Sequence, residues 1–150
     1  MLQPDVNVVE VVLQDRLRFE ARNARGARAG LDAAPPGGEG TGMTPMEFLL
    51  AGLGGCTAMD VINILRKKRQ DVTDYRVEII GARAVDHPNP YAQITIRHTV
   101  TGHDIAEEAV CQAIELSEEK YCPVHAMLSK AATISTTFEV QSEETAAVTA

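Results

Sequence analysis

The residues from Met46 to Leu65 form an almost continuous apolar stretch, and this stretch constrains the fold more than any other part of the chain. Its length would allow a helix to cross a membrane. However, Glu47, Asp60 and Asn63 lie within it together with three glycines, and charged or polar groups are costly in lipid. We therefore predict a buried central helix rather than a membrane span.

The residues before this stretch predict where the helix begins. Thr44 has the side chain of an N-cap residue, Pro45 suits the first helical position, and Glu47 is spaced as the partner in a capping box. Basic residues up to Arg69 complement the dipole at the other end. The glycines in the middle predict either a break or a close approach to the helix backbone.

The rest of the chain alternates strand-like and helix-like segments, which indicates an α+β fold in a single domain over residues 1–150. We expect a Pro/Gly-rich loop over residues 33–43, acting as a mobile connection, and a frayed tail over residues 141–150. An amphipathic helix over residues 105–119 is predicted to bury Ala106, Ala109, Val110, Ala113 and Ile114. Strands are predicted over residues 6–13, 17–22, 27–31, 75–85, 92–100 and 133–140, with a short helix from Cys122 to about residue 130.

Composition excludes several classes of function. A net charge of −7 and only 4% aromatic residues argue against nucleic-acid binding. Three cysteines are too few for a secreted disulfide scaffold, and the N-terminus lacks the pattern of a signal peptide, so we expect a cytoplasmic protein that is not bound to a membrane. Five arginines lie between residues 16 and 28, and we interpret most of them as the solvated face of a strand.

Two cysteines lie in contexts that suit thiol chemistry. Cys56 follows Gly54 and Gly55 in the central helix, where on its own it is most simply read as a small apolar residue. Cys122 precedes Pro123 and is predicted to cap a helix, where backbone amides and the helix dipole would lower the pKa of its thiol. We interpret His125, one turn further on, as a surface residue, and Cys111 as structural.

Several chemistries are compatible with these residues. Two thiols can reduce an oxidant through a sulfenic acid and a disulfide, if they meet in space. A Cys/His hydrolase would need one of them beside His98, His103 or His125, but no orienting pattern is visible. A zinc site from Cys56, Cys122 and His125 would lack the second pair of closely spaced ligands that is typical of such sites.

The segment from Thr44 to Cys56, with the sequence TPMEFLLAGLGGC, resembles the helix signature of the OsmC/Ohr family, the osmotically inducible and organic-hydroperoxide-resistance proteins. The later segment from Lys120 to Val124, KYCPV, resembles the second cysteine segment of that family. The order of elements agrees over roughly residues 6–140. This resemblance makes a two-cysteine function our preferred interpretation.

The resemblance implies an intertwined homodimer, with antiparallel sheets wrapped around central helices. It implies that Cys56 is the peroxidatic thiol, that Cys122 resolves its sulfenic acid, and that an arginine from the N-terminal strands assists. Arg16 matches that arginine in position, with Arg18 as the alternative. The substrate would be an organic hydroperoxide and the reductant a dithiol, such as a dihydrolipoyl group, with no bound cofactor or metal.

One position departs from the family pattern. In the well-studied peroxidases an acidic residue follows the proline directly and helps to hold the arginine, whereas here Met46 stands at that position and Glu47 comes next. One step along a helix rotates a side chain by about 100°. Glu47 is therefore a candidate for the catalytic acid and equally for a helix cap. The departure suggests a less characterised OsmC-like branch, so a redox-responsive or small-ligand-binding dimer without turnover remains an alternative.

Overall fold

A computed structural model of the protein describes residues 5–143. The chain divides into two compact units, one up to Leu49 and one from Leu50 onwards. Both units combine strands with part of one long helix, and the α+β class predicted from the sequence is confirmed.

The N-terminal unit contains a three-stranded antiparallel sheet. Its strands β1 (Val9–Asp15), β2 (Arg18–Asn23) and β3 (Arg28–Leu31) pair in sequence order. Asn23 fixes the turn between β2 and β3, because its side-chain oxygen accepts hydrogen bonds from the amides of Arg25 (3.0 Å) and Ala27 (2.9 Å). The three strands predicted from alternation and β-branched residues are therefore present.

The Pro/Gly-rich loop that follows is closed at its base by the buried carboxylate of Asp32. One oxygen accepts hydrogen bonds from the Thr41 amide (3.1 Å) and hydroxyl (2.8 Å), and the other accepts one from the Ala33 amide (2.8 Å). The Thr41 hydroxyl, followed by its amide, holds the pKa of Asp32 below its ordinary value. The segment predicted as a mobile connection is thus anchored at both ends by one side chain.

Helix α1 (Pro45–Lys67) begins as the sequence predicts. The Thr44 amide donates to a Glu47 carboxylate oxygen (3.0 Å), and the Glu47 amide donates to the Thr44 hydroxyl (3.2 Å). These two reciprocal bonds form a capping box. The helix runs through its three glycines without a break.

The second unit is built on a mixed sheet of β4 (Asp71–Arg83), β5 (Tyr91–His103) and β6 (Thr133–Ser142), in that order. β4 and β5 form an antiparallel hairpin, as predicted, but β6 runs parallel to β5. The expectation of antiparallel sheets is wrong for this last pair. The reason is the connection: the helices between β5 and β6 carry the chain back to the end at which β5 began.

The apolar face of α1 packs on this sheet. A Cβ atom at Gly54 would lie 2.9 Å from Cγ1 of Ile79 on β4, so this glycine permits the close approach that the sequence suggested. The fully buried α1 residues Val61 and Leu65 join Val100 of β5 in the core. By length and composition α1 would also suffice to span a membrane, a property that core helices of soluble proteins share.

Helix α2 (Glu107–Leu116) covers the other part of this core with Ala109, Val110, Ala113 and Ile114. Ala106, which we expected on the same face, is exposed because it is the N-cap residue and precedes the first turn. The predicted helix end is a π-helical turn, Ser117–Tyr121, followed by helix α3 (Pro123–Leu128). β6 extends to Ser142, two residues into the predicted tail, and residues 144–150 lie outside the described residues.

His98 lies in the sheet core at 1% exposure, stacked on Tyr75 of the neighbouring strand. The Tyr75 hydroxyl and His98 Nδ1 are 2.6 Å apart, and Nε2 is buried without a hydrogen-bond partner among the described residues. Burial lowers the pKa of His98 to about 4. The ring is therefore neutral at physiological pH and is engaged by Tyr75.

Candidate functional site

Cys56 and Cys122 are brought together by the fold, although 66 positions separate them in the chain. Their sulfur atoms lie within 4.8 Å of one another, and both thiols are free. A disulfide needs its sulfurs about 2.05 Å apart, so a modest approach of the two side chains would be required. The pair that the sequence suggested is therefore present in space.

Local sequence explains the position of Cys122. The π-helical turn before it ends with a hydrogen bond from the Cys122 amide to the Ser117 carbonyl (2.8 Å), and Pro123 then begins α3. The Cys122 sulfur accepts a hydrogen bond from the His125 amide (3.3 Å), which makes it the side-chain cap of α3. The predicted cap is confirmed. Single π-helical turns occur frequently at functional sites.

The predicted effect of this cap on the thiol is wrong in its net direction. Burial raises the pKa of Cys122 to about 11, with a further increase from the hydrogen bond to Cys56. The amides of His125 and Val124 act in the opposite direction but are outweighed. Cys122 is only 3% exposed, so loss of hydration dominates over the favourable amides.

Asp60 forms a cluster with the two thiols, which the sequence does not predict. Its carboxylate lies within 4.8 Å of both sulfurs, one helical turn after Cys56 on α1. The Ser117 hydroxyl donates to Asp60 Oδ2 (2.9 Å) and lies 3.1 Å from the Thr57 hydroxyl, and both hydroxyl residues are fully buried. The spacing of four residues between Cys56 and Asp60 could have indicated this proximity, because residues four apart share one face of a helix.

The remaining candidates have other contacts. The Glu47 carboxylate is engaged in the capping box, and the Thr44 amide holds its pKa below the ordinary value. Arg16 lies in the turn between β1 and β2 at a positive φ of 51° and forms an exposed ion pair with Glu39 (3.3 Å), while Arg18 is the first residue of β2. These contacts do not assign either arginine to the thiols, so the catalytic role of Arg16 or Arg18 stays a prediction.

Cys111 and His125 have local roles. The Cys111 thiol donates a hydrogen bond to Glu115 (3.5 Å), which raises its pKa, in keeping with a structural residue. His125 contributes its backbone amide to the Cys122 cap, and the side chain that lies within 4.8 Å of both sulfurs is Asp60.

Comparison with known proteins relates this site to one family. The sequence pattern of the OsmC-like proteins matches residues 38–137, which include both cysteines and Asp60. Protein YhfA of Escherichia coli K12 is 44% identical over 97 residues, which are 65% of this chain and 72% of that protein.

Solved structures agree with this match. A hypothetical protein from Aquifex aeolicus VF5 is 35% identical, with a TM-score of 0.82 over 93% of this chain and 99% of that one. The organic hydroperoxide resistance protein OsmC from Legionella pneumophila is 13% identical and shares the fold, with a TM-score of 0.70 over 93% of this chain and 100% of that one. The chain belongs to the OsmC-like protein family.

Proposed function

We propose that this protein is a thiol-dependent peroxidase that reduces organic hydroperoxides to alcohols. The observation that carries the proposal is the separation of less than 4.8 Å between the sulfurs of Cys56 and Cys122. Family membership supports it, because the Legionella relative of the same fold is an organic hydroperoxide resistance protein.

The different surroundings of the two thiols suggest their order of reaction. Cys56 is half-buried, so a substrate can reach it, whereas Cys122 is 3% exposed. The raised pKa of Cys122 keeps this thiol protonated at neutral pH and so limits its competition for peroxide. We assign Cys56 as the attacking thiolate and Cys122 as the resolving thiol.

The reaction then proceeds in two balanced steps. The Cys56 thiolate attacks the terminal oxygen of the hydroperoxide, an S–O bond forms as the O–O bond breaks, and the alkoxide takes up a proton to become the alcohol. The Cys122 sulfur next attacks the Cys56 sulfenic acid, an S–S bond forms, and hydroxide leaves as water with the proton of the Cys122 thiol. A small dithiol, such as a lipoyl-type reductant, regenerates the two thiols by exchange.

A cation near Cys56 would stabilise both its thiolate and the leaving alkoxide. We propose Arg16 for this role, with Arg18 as the alternative, on the resemblance to the family pattern. For Arg16 this requires release from its exposed pair with Glu39, which costs little because exposed ion pairs contribute about 1 kcal/mol or less. Glu47 is the family-derived candidate for the acid that holds the arginine, but we favour the structural role for it, because its carboxylate is already engaged in the helix cap.

We propose a homodimer as the working form, located in the cytoplasm. The isolated chain leaves Met59 of α1 73% exposed, and Gly52 and Gly55 have open space beside them. A second chain on this side of α1 would remove that apolar surface from water.

The second candidate is a dimer that reacts with oxidants once, without turnover, or binds a small ligand. The engagement of Glu47 in the cap and the presence of Met46 at the family's acidic position favour this alternative.

Steady-state kinetics distinguish the two functions. The protein is mixed with cumene hydroperoxide and dihydrolipoamide, and alcohol is counted per chain in Cys111→Ser, Cys56→Ser and Cys122→Ser variants. The peroxidase predicts many alcohols per chain in the parent and in Cys111→Ser, and none above background in Cys56→Ser. One alcohol per chain in the parent would favour the alternative.

A further inference from the structure

We propose that Cys56, Asp60 and Cys122 form a binding site for one soft divalent cation, such as Zn²⁺ or Cd²⁺, in the reduced protein. The three ligand atoms lie within 4.8 Å of one another. A tetrahedral zinc ion with Zn–S bonds of about 2.3 Å and Zn–O bonds of about 2.1 Å needs its ligand atoms about 3.5–3.8 Å apart. The ligand atoms therefore have to approach one another by about 1.3 Å at most.

The backbone holds these ligands on rigid elements. Cys56 and Asp60 are four residues apart on α1 and so point from the same face of one helix. Cys122 is fixed by the hydrogen bond from its own amide to Ser117 and by the His125 amide at its sulfur. Two ligands from a helix and a third from a capping position make a site that needs no loop movement to assemble.

Ser117 and Thr57 act as supporting residues for the carboxylate. The Ser117 hydroxyl donates to Oδ2 of Asp60 and is itself paired with the fully buried Thr57 hydroxyl. This bond orients the carboxylate and leaves its other oxygen for an ion. Hydrogen bonds of this kind to ligating groups commonly tune metal affinity.

The chemistry of the cluster also suits a cation, which on binding would displace the proton that the Cys122 thiol otherwise keeps at neutral pH. Two ionisable thiols and a carboxylate converge, and none of the ion pairs among residues 5–143 involves Asp60. Thiolate sulfur selects soft and borderline ions over Mg²⁺ or Ca²⁺. Because Cys56 and Asp60 are only half-buried, water can occupy the fourth position of a tetrahedral ion.

An ion bound at this site would inhibit the proposed peroxidase reaction, but its binding would not require that reaction to occur. Coordination occupies the sulfur of Cys56, so the bound ion protects the thiol from peroxide. The disulfide form contains no thiolate ligand, so oxidation releases the ion. Binding itself requires only reduced cysteines, and the site would exist even in a protein without peroxidase turnover.

Titration of the reduced full-length protein with Cd²⁺, in a Cys111→Ser background, tests the proposal. The expected result is one sulfur-to-cadmium charge-transfer band that saturates at one ion per chain. Cys56→Ser and Cys122→Ser should each abolish saturation at that stoichiometry. Asp60→Asn, which keeps an acceptor for Ser117, should weaken binding by at least about tenfold, whereas the exposed control Asp104→Asn should bind as the parent does.

Two outcomes would overturn the proposal. One is the absence of a saturating band with the parent, and the other is equal affinity in Asp60→Asn and the parent, with circular dichroism showing that both are folded. The titration contains no peroxide, and the peroxidase assay is run with a chelator. A failure of one experiment therefore leaves the other result unaffected.

Discussion

Burial, more than local capping, sets the chemistry of the individual thiols. Cys122 has two backbone amides directed at its sulfur, yet its pKa rises to about 11 because the residue is almost completely removed from water. The sulfur of Cys56 lies within 4.8 Å of that of Cys122, but Cys56 is nearer the surface. The difference provides a physical reason for one thiol to react first and the other to follow.

The pH dependence of alkylation tests this assignment for Cys122. In a Cys56→Ser, Cys111→Ser protein the hydrogen bond from the partner thiol is absent, but burial, the largest cause of the raised pKa, remains. We expect the rate of iodoacetamide alkylation to rise about tenfold per pH unit from pH 7 to 9, because the thiolate fraction does so well below the pKa. A plateau below pH 8 would mean that the capping amides dominate.

His98 predicts a loss of stability in acid. The unfolded state binds a proton near pH 6.5 and the folded state only near pH 4, so stability falls as the pH is lowered through this interval. The shift corresponds to about 3 kcal/mol. Urea unfolding should therefore show that the free energy of unfolding falls between pH 7 and pH 4 in the parent. In His98→Phe this fall should be smaller by about the same amount. An equal decrease in both proteins would show that His98 does not titrate as described.

At the scale of elements, strong local signals predicted most of the structure. Thr44, Pro45 and Glu47 specify the start of α1, and alternation specifies the strands. The parallel pairing of β6 with β5 was not predictable in this way, because it depends on where two intervening helices return the chain. The sequence likewise predicts ordinary helix for the π-helical turn before Cys122, since the residues of this turn carry no distinct pattern.

Substitutions at Thr44 and Glu47 distinguish a structural role of Glu47 in the capping box from a catalytic role. Thr44→Ala should lower the free energy of unfolding by about 1 kcal/mol, because the Glu47 amide loses its acceptor. Glu47→Ala should also lower the free energy of unfolding. Neither substitution should alter the rate of the peroxide reaction at Cys56 by more than about twofold. Loss of rate in Glu47→Ala alone would assign the catalytic role to this residue.

At the scale of the whole molecule, the pairing of Cys56 with Cys122 could be anticipated only through the resemblance to a family. Spacing along the chain says nothing about distance across 66 positions. The resemblance to the family directs attention to the two cysteines and not to Asp60, although its position four residues after Cys56 places it on the same helix face. The arginine assignment has the same origin as the cysteine pairing and stays a prediction.

Sedimentation measures the proposed dimer directly. We expect a particle of twice the 16.2 kDa chain mass, because α1 exposes Met59 and open glycine surface that a second chain would bury. Met59→Glu should shift the equilibrium towards the single chain while keeping its secondary structure. A parent protein that sediments as a 16.2 kDa monomer at micromolar concentration would contradict the dimer.

If Cys56 and Cys122 form one redox pair, peroxide treatment should join them, and intact-mass analysis with peptide mapping measures this. The reduced protein is treated with one equivalent of cumene hydroperoxide, the remaining thiols are alkylated, and the disulfide is located. We expect loss of two hydrogens per chain, a single Cys56–Cys122 disulfide and an alkylated Cys111, whereas Cys122→Ser should stop at the Cys56 sulfenic acid. Two unmodified thiols after this treatment, or a disulfide that contains Cys111, would contradict it.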